Sequence, residues 1–202
     1  MHSRKILFIF IFLISLISGS KAQNSLKTSF APHQYLSIQW FGMTFHPGGG
    51  SVFMRDNYPL KLDPKAYLVL NIGGAASYDR DMSKRFFLRA QVGAFMDCAW
   101  QKSAYIHVGL HFTAIKLGKH SINGGLGPMF LVREDWGKFE RYRRGDDFFG
   151  DRVKNGWQYR LFPLGGELEY LYQINDNIAF QYSVIPGYPA VITSKFGVRM
   201  KF

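Results

Sequence analysis

From Tyr35 to the end of the chain, hydrophobic and polar residues alternate with a period of two, broken at regular intervals by turn-forming residues. Successive side chains of a strand point to opposite faces, so this period predicts strands rather than helices. Eight are predicted, over 35–45, 66–78, 85–98, 103–116, 120–133, 157–172, 178–185 and 193–202. The third is the clearest, with Phe86, Leu88, Ala90, Val92, Ala94 and Met96 alternating with Arg85, Arg89, Gln91, Gly93 and Asp97. In the fourth, Ile106, Val108, Leu110 and Phe112 alternate with Tyr105, His107, Gly109, His111 and Thr113.

The connections alternate in length. Long segments are expected at 46–65 and 134–156, and shorter ones at 99–102 and 186–192. Tight turns are expected at Asp79-Arg80-Asp81, Leu117-Gly118-Lys119 and Asn175-Asp176-Asn177. A membrane barrel has short turns at one end and long loops at the other, and eight strands with both termini at the turn end reproduce that order. A soluble sandwich or lipocalin-like barrel is the competing architecture. There the apolar face packs a core and the polar face meets water. Here one face is free of charge along whole strands, as hydrocarbon requires, while the other carries Arg89, Arg133, Glu167, Glu169, Arg199 and many glycines. The expected fold is all-β, a single antiparallel transmembrane β-barrel of about eight strands.

The N-terminus sets the compartment. Arg4 and Lys5 precede an apolar run from Ile6 to Ile17, and Ser20 and Ala22 form a small-x-small site before Gln23. This reads as a cleaved signal peptide over 1–22, leaving a barrel domain over 23–202. No other apolar run approaches the roughly 20 residues of a helical span. Cys98 is the single cysteine, which excludes an intramolecular disulfide. The net charge is +11, of which Arg4, Lys5 and Lys21 leave with the leader. A basic exported protein meets lipopolysaccharide phosphates rather than nucleic acid. The 17% aromatic content suits girdles at two membrane interfaces.

The last residues, Phe196-Gly-Val-Arg-Met-Lys-Phe202, resemble the insertion signal of outer-membrane barrels, alternating apolar positions that finish on an aromatic. With the leader and the loop pattern, the chain looks like the small eight-stranded Gram-negative family. The cut before Gln23 and the aromatic-rich style are similar to barrels of the Bacteroidota. The resemblance implies insertion by the barrel assembly machinery, residence in the outer membrane among lipopolysaccharide, and a monomer. It also implies two enzyme types of this size, lipid A deacylases and a lipid A palmitoyltransferase.

Acyl-ester chemistry needs a nucleophile, a histidine base and an orienting carboxylate. Ser103, His107 and His111 share the polar face of the fourth strand, and Asp97 lies near Ser103 at the predicted external mouth. Ser103 and His107 stand too far apart for a direct hydrogen bond. His107 and His111 are separated by about 13 Å along an extended strand, too far to chelate one zinc alone. The alternative assigns these residues to a lumen network with Arg89, Arg133, Glu167, Glu169 and Arg199. The lipid A deacylase signature is a His and a Ser two apart. The adjacent His120-Ser121 departs from it, pointing to opposite faces, so His120 reads as interfacial.

Seven inward glycines, Gly73, Gly93, Gly109, Gly125, Gly127, Gly165 and Gly197, leave room for an acyl chain or for large side chains such as Phe41, Met43 and Phe95. Arg133, Arg141, Arg143 and Arg144 are candidates for lipid A phosphate, since arginine pairs with phosphate in a bidentate manner. No phosphate loop, dinucleotide fingerprint or Cys/His metal cluster is present, so neither cofactor nor metal is expected. The first functional reading is an acyl-ester hydrolase acting on lipid A. The second is a non-catalytic structural or partner-binding barrel, and a porin is the third.

Overall fold

The structure is a computed structural model in which residues 31–50, 52, 54–140, 142, 149–187 and 191–202 are described. The predicted leader and Arg141, Arg143 and Arg144 lie outside these residues. Among the described residues ten strands form one antiparallel sheet. They are β1 Gln34–Phe45, β2 Leu68–Leu70, β3 Ile72–Asp81, β4 Phe86–Met96, β5 Lys102–Leu117, β6 His120–Glu134, β7 Val153–Lys154, β8 Trp157–Gln173, β9 Ile178–Gly187 and β10 Val191–Lys201. β2 and β3 both pair with β1 as one stave broken at Asn71, and β7 is a flap on β8. Eight staves remain, closed by β1 against β10 from Tyr35↔Lys201 to Phe45↔Ile192. Closure removes both sheet edges and pairs the backbone groups that hydrocarbon cannot satisfy.

The sheet divides the side chains as the alternation predicts. Trp40, Val92, Leu110, Leu126 and Leu168 project outward and are 52–57% exposed. A belt of this extent is a lipid-covered surface, since a water-soluble monomer buries such a patch. Aromatic rings mark its two rims. At the turn end Tyr78 meets Phe202, Phe86 meets Phe112, and His120 contacts Tyr170 and Tyr172. At the loop end Phe130 meets Tyr159. His120 is therefore interfacial as expected, with Nδ1 2.7 Å from the Tyr170 hydroxyl.

Three departures from the predicted strands have physical causes. Asp79-Arg80-Asp81 is strand and not turn, and the connection runs over 82–85. The inward alternation of Ala75 and Ser77 continues to Asp79, whose ion pair holds the strand on course. The second predicted strand is broken because Asn71 turns to β1, its N–H donating to the Gly42 carbonyl and its amide to Thr44 Oγ1. β1 also carries an extra residue between Phe41 and Thr44, opposite Ser194. Ser194 Oγ accepts from the Met43 N–H and donates to its carbonyl, both at 3.0 Å. This bulge moves Met43 from the expected inward face to the outside, where it is exposed, and restores Thr44 to the lumen. A second bulge, opposite Gly127–Met129, places Pro163 and Leu164 where β8 needs no ladder donor.

Candidate functional site

The lumen is filled in layers. Nearest the turn end, Arg89 on β4 faces Asp79 on β3. Arg89 Nε and Nη2 donate to the two Asp79 oxygens at 2.7 and 2.8 Å, and Nη1 reaches Glu169 at 2.7 Å and Glu167 at 3.2 Å. Arg199 from β10 adds a contact of 3.0 Å to Asp79, and Lys195 from the same strand lies 3.0 Å from Glu167. Three cations thus meet three carboxylates, and the layer is neutral. Charges this deep persist only when paired and hydrogen-bonded. Asn123 and Gln181 donate to Glu169, and Lys195 also donates to Gln91 Oε1 and the Tyr105 hydroxyl at 2.9 and 3.1 Å. Arg199 lies 4.0 Å from the Tyr35 ring and 4.8 Å from that of Phe87.

Above the ions sits an apolar layer of Phe41, Ala75, Tyr105 and Met129, with Phe41 stacked on Phe95 at 4.3 Å. The inward glycines open no cavity here. A Cβ on Gly93 would lie 2.3 Å from the Tyr105 ring, and one on Gly125 2.2 Å from His111. Of the two uses weighed for these glycines, small-against-large packing is the one found.

The mouth is capped by loop residues. Arg133 is buried between Trp136 at 3.8 Å and Phe149 at 4.1 Å, and it donates to Gln158 at 2.8 Å and to the Tyr142 hydroxyl at 3.1 Å. Its side chain is buried among these partners. Met54, Tyr58, Ala66, Val69 and Ala99 complete the cap with Trp136. Burial raises the Tyr58 phenol, the Cys98 thiol and the Asp97 carboxyl above their ordinary ranges and lowers the His46 imidazole. Asp97 offsets part of this by accepting from the N–H groups of Ala99 and Gln101 and from Trp136 Nε1.

The candidate catalytic residues separate into two groups. Ser103 Oγ lies 3.4 Å from Asp97 Oδ2 at the mouth. His107 and His111 lie deeper in the lumen, 1% and 0% exposed, and among the described residues neither nitrogen of either ring has a hydrogen-bond partner. Among the described residues Ser103 makes no hydrogen bond to His107 or His111. The separation expected along the strand did not keep the two imidazoles apart: their centroids are 6.0 Å from each other. His107 leans over Gly109, where a Cβ would stand 2.9 Å from its ring. Extended spacing fixes Cα positions, and long side chains lean along the strand toward one another.

Two buried charges were not foreseen as part of the network. Asp79 was hidden by its turn-like neighbours, although continuing the inward series 75, 77, 79 identifies it. Lys195 was on the polar face, but its partner Glu167 sits on a stave two positions away around the barrel.

A solved structure of the same fold is known. The neisserial surface protein A shares 9% identity, covering 86% of this chain and 100% of its own, with a TM-score of 0.50. The N-terminal β-barrel domain of Pseudomonas aeruginosa OprF shares 10% identity, covering 85% and 100% of the two chains, with a TM-score of 0.47. No family model matches the chain, and neither does any curated protein. The fold is that of the small eight-stranded outer-membrane β-barrels.

Proposed function

We propose that this chain is a non-catalytic, structural barrel of the bacterial outer membrane, standing as a monomer among phospholipid and lipopolysaccharide after insertion by the barrel assembly machinery. The closed, charge-balanced lumen carries this reading. Arg89, Lys195, His107, His111, Gln39, Gln91 and Gln181 are all under 2% exposed, so among the described residues the lumen is filled by packed, paired side chains at their level. Eight staves enclose just enough space for side chains.

Lipid A deacylation has one observation in its favour, the Ser103–Asp97 contact at the mouth. Its chemistry also needs a histidine on the serine, and both lumen imidazoles lie elsewhere. Mass spectrometry of lipid A from cells with and without the gene decides between the readings. The structural reading expects identical acylation and, on deletion, increased sensitivity to detergent. Loss of an acyl chain only when the gene is present overturns it, and Ser103→Ala and His107→Ala then locate the site.

A further inference from the structure

The ion pairs account for the six charges of the deep layer but leave two imidazoles unexplained. His107 and His111 flank Gly109 on β5, and Glu167 enters from β8, with β6 between the two strands. One nitrogen from each imidazole and one Glu167 oxygen lie within 4.8 Å of one another. All four imidazole nitrogens are buried and make no hydrogen bond of good geometry among the described residues, although buried polar groups are normally satisfied. Two imidazoles and a carboxylate converging on one point form a common zinc ligand set.

We propose that His107, His111 and Glu167 hold a divalent transition-metal ion of the zinc class inside the barrel. Zinc with arms of about 2.0–2.1 Å spaces its ligands about 3.3 Å apart, so modest rotations of three side chains close the site. The glycines give it room, because the His107 and His111 rings occupy the space where side chains on Gly109 and Gly125 would stand. Two imidazoles select zinc, nickel or copper over magnesium and calcium, which prefer oxygen. Glu167 is shared with Arg89 and Lys195, which oppose an added cation, whereas Glu169 and Asp79 favour it. The affinity therefore falls below that of an unshared site. The ion's role is to tie β5 to β8, two staves that share no ladder.

The test uses the full chain without an affinity tag, folded into detergent with Zn²⁺ or Co²⁺ and dialysed. Elemental analysis is expected to find close to one metal ion per chain, and Co²⁺ to show the visible bands of mixed nitrogen–oxygen ligation. His107→Gln and His111→Gln each weaken retention by at least about tenfold, while His120→Gln on the outer rim leaves it unchanged. Zn²⁺ also raises the urea midpoint of the parent and not of the double histidine variant. Heat-dependent gel mobility reports whether each variant folds. Retention of less than a tenth of an equivalent by the parent overturns the proposal, as does full retention by the folded double variant. If the variants do not fold, an oxygen-only Co²⁺ spectrum in the parent also overturns it.

Discussion

Arg89 and Asp79 stand directly opposite each other on adjacent strands, joined by two hydrogen bonds with both side chains fully buried. The pair is the hub through which Glu167, Glu169 and Arg199 are balanced. Breaking one partner of a buried pair leaves an uncompensated charge, a loss of about 3–5 kcal/mol. Asp79→Asn is expected to destabilise the barrel by that amount in urea unfolding followed by heat-dependent gel mobility. Asp81→Asn, at the strand end, is expected to change it by less than about 1 kcal/mol. Equal effects would show that the lumen network does not hold the staves together.

Neighbouring residues on one strand should respond to charge in opposite ways. Leu110 is outward and 52% exposed, and the adjacent His111 is inward and buried. An arginine on the lipid face near mid-membrane costs about 2–4 kcal/mol. Leu110→Arg is expected to lower the unfolding free energy in vesicles by that amount, and Lys102→Arg at the mouth to leave it unchanged. A Leu110→Arg barrel as stable as the parent would mean that this face does not meet hydrocarbon.

Glycine tolerance distinguishes the two faces sterically. Gly125→Ala drives a methyl into His111, which is itself stacked on Phe87 at 5.1 Å, and is expected to cost about 1–3 kcal/mol. Gly74→Ala meets its nearest heavy atom, the Gln39 carbonyl oxygen, at 3.6 Å and should be tolerated. The same unfolding assay separates them, and a neutral Gly125→Ala would indicate that the lumen repacks freely.

The mouth cap should loosen in mild acid. His46 packs against Tyr58 at 5.7 Å with its Nε2 unpartnered, and burial holds its imidazole below the ordinary value of 6.5. A depressed value means that the fold prefers the neutral ring. Its contribution is present in full above pH 6.5 and is lost as pH falls through the lowered value. Hydrogen-exchange protection over residues 54–66, measured relative to the intrinsic rate, which itself slows as pH falls, is expected to drop between pH 7 and 5, and His46→Gln to flatten that response. Identical profiles for parent and variant would remove His46 from the cap.

Much of the barrel is legible along the chain because a strand's two faces are a local property. Ser103, Tyr105, His107 and His111 could be placed inside, opposite Ile106 and Leu110, from alternation alone. Local reading fails where a single residue shifts the phase. The extra residue in β1 turns Met43 outward, and nothing in Phe41-Gly-Met-Thr44 marks it, since the bulge is held by Ser194 from the other end of the chain.

The sequence by itself determined the class of fold, the inward charge set on most strands, the lipid-facing belt and the order of short and long connections. Each of these follows from period-two patterning and from what hydrocarbon excludes. Tertiary structure alone decided which charges meet. Closure brings Lys195 of β10 to Glu167 of β8, and the lean of side chains brings His107 and His111 to that same carboxylate. Such partners depend on stagger and barrel curvature, which are set by all eight staves at once and so cannot be read from any one of them.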